Sequence, residues 1–139
     1  MIKELGDDNQ LKVDFGLAFY SDLTDPKEVK SLYSKDYTNN MRVFGGKLNL
    51  DGGSPGRTAF LGEKYYTPTP GQPEDYRGYS SNSKQEDMNQ LVASYYNEEI
   101  PFFIHALGDA ALDQCIKAVK YAEEKAGYDD IRTNLFICN

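Results

Sequence analysis

The sequence predicts an α/β domain in which parallel strands are joined by crossover helices. Three observations carry this. First, IPFFIHALGD at residues 100–109 is an apolar run of strand length that ends on the only histidine, with a Gly-Asp turn just beyond. Second, Leu112, Cys115, Ile116, Val119, Ala122 and Ala126 follow at helical spacing, and Gly127 supplies a stop. Third, strand-like and helix-like stretches alternate along the rest of the chain, giving the order β-α-β-loop-α-β-α-β.

Each element has a local reason. Residues 1–10 are polar and are expected to fray. Residues 11–20 alternate and then become continuously apolar, as a strand entering a buried sheet does. Asp25 and Pro26 open a short helix, with Glu28 placed to complete a capping box and Val29, Leu32 and Tyr33 forming its apolar stripe. Residues 41–50 form the next strand, with Lys47, Asn49 and Asp51 on one face and Leu48 and Leu50 on the other. Residues 51–82 show no periodicity and are rich in Gly, Pro and Tyr, the pattern of a long binding loop or lid. Ser83 and Glu86 read as a capping box for a helix whose stripe is Met88, Leu91, Val92, Tyr95 and Tyr96. Asp109 reads as the N-cap of the following helix, and residues 134–139 as a last strand.

At 139 residues the chain fits one domain, and it is read as a single unit with the long loop at 51–82. A net charge of −7 leaves no basic stripe for phosphates, which argues against nucleic acid and against anionic membrane surfaces. No apolar run is long enough to cross a bilayer, and the polar start is not a signal peptide. Cys115 falls on an apolar helix face and neither it nor Cys138 has a neighbour at metal-ligand spacing. Both read as reduced thiols, and the expected location is the cytoplasm.

Two side chains stand out as candidates for chemistry. His105 sits where a strand ends and a turn begins, the edge where catalytic groups collect in parallel sheets. A core histidine bonded to backbone carbonyls is the other reading of that position. Lys47 lies inside a strand, where a cation needs a partner, a route to solvent, or a role.

Two segments together resemble a known family. GKLNLDGGSPGRTA at residues 46–59 resembles the VK…DGSLGSRTA segment of amidohydrolase family 3, the YtcJ-like metal-dependent hydrolases. HALGDAA at residues 105–111 resembles that family's HAIGDRA segment, in the right order downstream. The resemblance implies a (β/α)8 barrel, of which this chain would be a partial TIM-barrel fragment of about four parallel strands, near strands three to six. It implies hydrolysis of non-peptide C–N bonds in small-molecule, amide-type substrates. Lys47 matches the strand-four lysine that is carboxylated and bridges metal ions, and His105 the strand-five histidine ligand of a divalent metal, zinc above all. Asp51, Arg57, Tyr65 and Tyr66 would belong to the substrate loop.

The departures from the family pattern shape what is expected of this chain. It has no His-x-His pair, Phe136 to Asn139 stand where the strand-six histidine is expected, and Ala110 replaces the usual arginine. With no catalytic set complete, the isolated chain is expected to be inactive and to carry no metal. Open sheet edges predict a homo-oligomer, and residues 51–82 are expected to be the most mobile segment. A self-contained α/β ligand-binding or interaction module without catalysis is the alternative.

Overall fold

The computed structural model describes residues 2–127 and 134–136. Among the described residues, β1 (Phe15–Tyr20), β2 (Met41–Asn49), β3 (Phe102–His105) and the short β4 (Asn134–Phe136) form one sheet in chain order. Every neighbouring pair is parallel. The helices are α1 (Ile2–Asp7), α2 (Pro26–Leu32), α3 (Gln85–Asn97) and α4 (Asp109–Ala126). The parallel α/β character expected from the alternation of periods is what the chain adopts.

Register decides which side of the sheet is core. Gly46 pairs with Phe102 and Leu48 with Ile104, so these four residues face one way. Leu48, Phe102 and Ile104 are fully buried, and so are Met88, Val92 and Tyr95 of α3 and Ala111, Cys115, Ala118 and Ala122 of α4. The helices therefore cover one face of the sheet. Gly46 is required there because the Tyr95 ring lies over it: a Cβ would come within 2.2 Å of that ring. Tyr95 in turn stacks on Phe102, with centroids 4.2 Å apart.

A bulge in β2 sets this alternation. Leu17 pairs with Val43 but Ala18 pairs with Gly45, so Phe44 is the extra residue. Without it, Val43 and Lys47 would share a face. With it, Val43 joins the core while Lys47 turns to the other side.

Several local expectations are corrected. Residues 2–7 form α1 rather than fraying; Asn39 donates to the Asp7 carboxylate at 3.1 Å and ties this helix to the turn before β2. The first strand begins at Phe15, four residues later than the periodicity predicts. Asp25 does cap α2, accepting from the Lys27 amide at 2.8 Å, but Leu32 is exposed rather than part of a buried stripe. Lys84, not Ser83, is the N-cap of α3 and makes no side-chain cap bond. Gly108, not Asp109, caps α4, and the buried line of α4 is Ala111, Cys115, Ala118 and Ala122, with Ile116 exposed. Small residues win that face because α4 packs closely on α3. Gly127 ends α4 in the left-handed conformation, as expected. The expected last strand is seen over Asn134–Phe136, and residues 137–139, with Cys138, lie outside the described residues.

Candidate functional site

The site is built at the carboxyl ends of β2 and β3. Asn49 pairs with His105 and Lys47 with Phe103, so Lys47, Asn49, Phe103 and His105 share the face opposite the helix-covered core. Tyr20 pairs with Lys47 from the other side and accepts from Asn49 Nδ2 at 3.4 Å. The structure thus brings Lys47 and His105 to one face of neighbouring strands. They are diagonal rather than opposite: one strand across and two residues along put their Cα atoms ~8 Å apart. Asn49, which the alternation already puts on the Lys47 face, joins them, and so does Tyr20, which only the β1–β2 register reveals.

The His105 ring is turned toward the end of β2. Its Nε2 lies 3.3 Å from the Gly52 carbonyl oxygen and 3.8 Å from Asp51 Oδ1. A carbonyl can only accept, so this contact is a hydrogen bond when Nε2 carries the ring proton.

Asp51 is not a solvent-facing loop residue. It is 5% exposed, and its carboxylate accepts three backbone N–H bonds: from Leu107 at 2.9 Å, Gly108 at 2.8 Å and Phe60 at 2.9 Å. One side chain therefore joins the end of β2, the middle of the loop and the turn into α4. Close approach at this junction requires Gly108, since a Cβ there would lie 1.9 Å from the Phe60 carbonyl oxygen. Asp109 makes a second clasp, accepting from the Gly62 amide at 2.8 Å. Sequence reasoning misses this contact; the Gly-Asp pair after the strand is its only signal, and that pair points to a cap.

The loop 51–82 is tied down along its length. Leu61 donates to the Arg77 carbonyl at 2.8 Å, Tyr65 to that of Tyr76 at 2.9 Å, and Ser81 to that of Leu50 at 2.7 Å. The Arg77 guanidinium lies over the Phe60 ring. Arg57, in a left-handed conformation, donates from Nη1 to the Pro68 carbonyl at 3.0 Å. The Tyr65 hydroxyl donates to the Ala59 carbonyl at 2.9 Å, and burial, then the charges of Tyr76 and Asp51, raise its pKa above the ordinary tyrosine value. Tyr66 is fully exposed. Of the four loop candidates, Asp51, Arg57 and Tyr65 brace backbone and only Tyr66 faces solvent outright.

The donor set decides how far these residues fit the metal that the resemblance implies. Among the described residues, no group of three or more His, Cys, Asp or Glu side chains is placed to hold an ion. His105 offers Nδ1, and Lys47 becomes a ligand only as a carbamate, because an ammonium has no lone pair. These residues fit two positions of a metal centre and not a whole one. Among the described residues no helix is long and apolar enough to cross a membrane.

Comparison with known proteins agrees with the geometry. A family model described as amidohydrolase family matches residues 1–137. Among solved structures, the chain is similar to an uncharacterized metal-dependent hydrolase from Pyrococcus horikoshii OT3, with 21% identity and a TM-score of 0.64. It is also similar to an uncharacterized metal-dependent hydrolase from Pyrococcus furiosus, with 23% identity and a TM-score of 0.64. Each match covers 91% of this chain but only 24% and 25% of the respective structure, so the chain spans about a quarter of the length of the proteins it matches. At these identities the likeness establishes a shared fold. No curated protein matches the chain.

Proposed function

This chain belongs to the amidohydrolase family, and from that premise we propose that it is a section, near strands three to six, of a (β/α)8 barrel that hydrolyses non-peptide C–N bonds in small molecules. The observation that carries this reading is the placement of Lys47 and His105 on one face at the carboxyl edge, opposite the helix-covered core. In a barrel of parallel strands that face is the interior, and its carboxyl end is the active-site mouth.

In this reading a carboxylated Lys47 and the Nδ1 of His105 would supply two of the ligands to a divalent metal, zinc by donor type, in the whole barrel. There it would supply Lewis-acid polarisation of the scissile carbonyl and activation of water. The chain's own residues do the rest. The Gly52 carbonyl orients His105 through Nε2, Asn49 and Tyr20 pave the floor beside it, and the braced loop carries Tyr66 and Arg57 to the side where substrate enters. Two ligands do not hold zinc as four do, so the section alone is inert.

The test is elemental analysis and amide hydrolysis on the purified chain after zinc exposure and desalting. The expected result is no stoichiometric zinc and no turnover. One tightly held zinc per chain, lost in His105→Ala, would mean that further ligands exist here and would overturn the partial-site reading. The reading also expects genomic sequence upstream to continue in frame into a His-x-His strand. A stop codon and an independent promoter there would favour the self-contained binding module.

A further inference from the structure

We propose that Asp51 is a positioning residue for His105, holding it in the tautomer that carries its proton on Nε2 and leaves Nδ1 as the donor atom. The inference rests on the metal-centre reading only for what the freed nitrogen is used for.

Asp51 holds both ends of the gap that the loop must close. Its three backbone N–H bonds come from Phe60 on one side and from Leu107 and Gly108 on the other. A buried carboxylate with three donors has little freedom, because each bond to a charged acceptor is stronger than a neutral one. The next residue in the chain is Gly52, so Asp51 anchors one end of the short segment that carries the Gly52 carbonyl. The two peptides that follow Asp51 are both held by Thr58: Gly52 N donates to the Thr58 carbonyl at 3.1 Å, and Gly53 N, in the same peptide as the Gly52 carbonyl, donates to Thr58 Oγ1 at 2.9 Å. The carbonyl so placed meets His105 Nε2 at 3.3 Å, and Asp51 Oδ1 lies 3.8 Å from the same nitrogen. Both are acceptors, and both favour a proton on Nε2. Metal-ligating histidines commonly need such a partner on the second nitrogen to set ring orientation. Here the partner is a backbone carbonyl whose aim depends on a carboxylate.

Asp51→Asn tests the dependence. An amide keeps one acceptor oxygen and turns an NH2 group toward a backbone donor, so at least one of the three bonds is lost. His105 is the only histidine, which makes its ring nitrogens unambiguous in long-range 1H–15N correlation spectra. The measurement uses the metal-free chain above the imidazole titration range, with the urea-unfolded chain as the reference tautomer mixture. The folded protein is expected to favour Nε2–H by roughly tenfold more than the unfolded chain does. Asp51→Asn is expected to lose that excess, while Asp109→Ala, which opens only the Gly62 clasp, retains it. If Asp51→Asn fails to fold, Asp51→Glu takes its place; its extra methylene displaces the Gly52 carbonyl and is expected to reduce the excess. A folded protein with Nδ1–H, or with the unfolded ratio, overturns the proposal. So does an Asp51 variant that folds with the excess unchanged. Because no metal takes part in the measurement, its outcome is independent of whether the chain contributes to a metal centre.

Discussion

The two faces of one sheet are made differently. On the helix side, Leu48, Phe102 and Ile104 meet α3 and α4 in a fully buried apolar layer, and order comes from packing. On the other side, and over the carboxyl edge, Tyr20 and Asn49 are exposed and Lys47 and His105 are partly so. Order there comes from directed bonds: the Asp51 carboxylate, the Asp109 clasp and the backbone ladder of the loop. The packed face takes almost only apolar groups, the Tyr95 hydroxyl being an exception, whereas the bonded edge holds a histidine, an asparagine and a lysine in fixed register. The division explains how one small section of chain can be stable on one side and chemically available on the other.

The sharpest way to break this contrast is to truncate adjacent residues of β3. Phe102 stacks on Tyr95 inside the core, and Phe103 meets Phe44 edge to face at 4.8 Å on the opposite side. Phe102→Ala is expected to cost ~3–5 kcal/mol, the range for emptying an aromatic core site. Phe103→Ala is expected to cost ~1 kcal/mol, nearer the worth of one aromatic pair. Urea denaturation of both variants gives the comparison, and equal losses would show that both faces are core.

A second, smaller effect sharpens it through pH. Burial pushes the Cys115 thiol from 9.0 to about 11. Burial, with the negative charges of Asp25 and Asp22, pushes Tyr95 from 10.0 to about 12. The buried Tyr95 hydroxyl has no hydrogen-bond partner among the described residues. In both cases the fold favours the protonated, neutral form. The contribution is therefore fully present below pH 9 for the thiol and pH 10 for the phenol, and is lost as pH rises through 11 and 12. Two pKa units correspond to about 3 kcal/mol per group at the alkaline limit. Urea midpoints are expected to be flat from pH 7 to 8 and to fall above pH 9. Cys115→Ala is expected to move the onset of that fall toward the phenol range. An onset unchanged in the variant would show that the helix face is wetter than its burial implies.

The packed face is the legible one in the sequence. Period 3.6 over residues 85–97 and the apolar runs of β2 and β3 are enough to name Met88, Val92, Tyr95, Leu48 and Ile104, because burial writes itself into residue type. The bonded edge is only half legible. Alternation places Lys47 and Asn49 on the histidine face, but the bulge at Phe44 that makes this so carries no clear sequence mark beyond the Gly45-Gly46 pair. The loop 51–82 reads as aperiodic because several of the bonds that tie it reach residues distant in sequence. Asp51 reaches Leu107 and Gly108, 56 and 57 residues away, and a local window cannot see them. Asp109 misleads for the same reason: its carboxylate answers Gly62, 47 residues earlier, rather than its own helix. The family resemblance likewise treats Tyr65 and Tyr66 alike, as substrate-loop residues, yet one hydroxyl is tied to Ala59 and the other ring is bare.

The smallest expected effect tests what covers the open face. Tyr20 ends β1, the edge strand of the sheet, and is 50% exposed. The bond its hydroxyl accepts from Asn49, at 3.4 Å, is long. In a chain that stands alone, Tyr20→Ser is a surface change and is expected to alter stability by ~0.5 kcal/mol or less. If the face is closed in solution by a second copy approximating the rest of a barrel, the same ring is buried in the assembly. Its loss then removes aromatic contact area, and the cost grows with protein concentration because folding and association are linked. Sedimentation and urea unfolding across a hundred-fold concentration range, on the native chain and the variant, separate these cases. Stability that rises with concentration in the native chain and not in Tyr20→Ser would place a partner on this face. Stability independent of concentration in both would leave this face without a partner copy in solution.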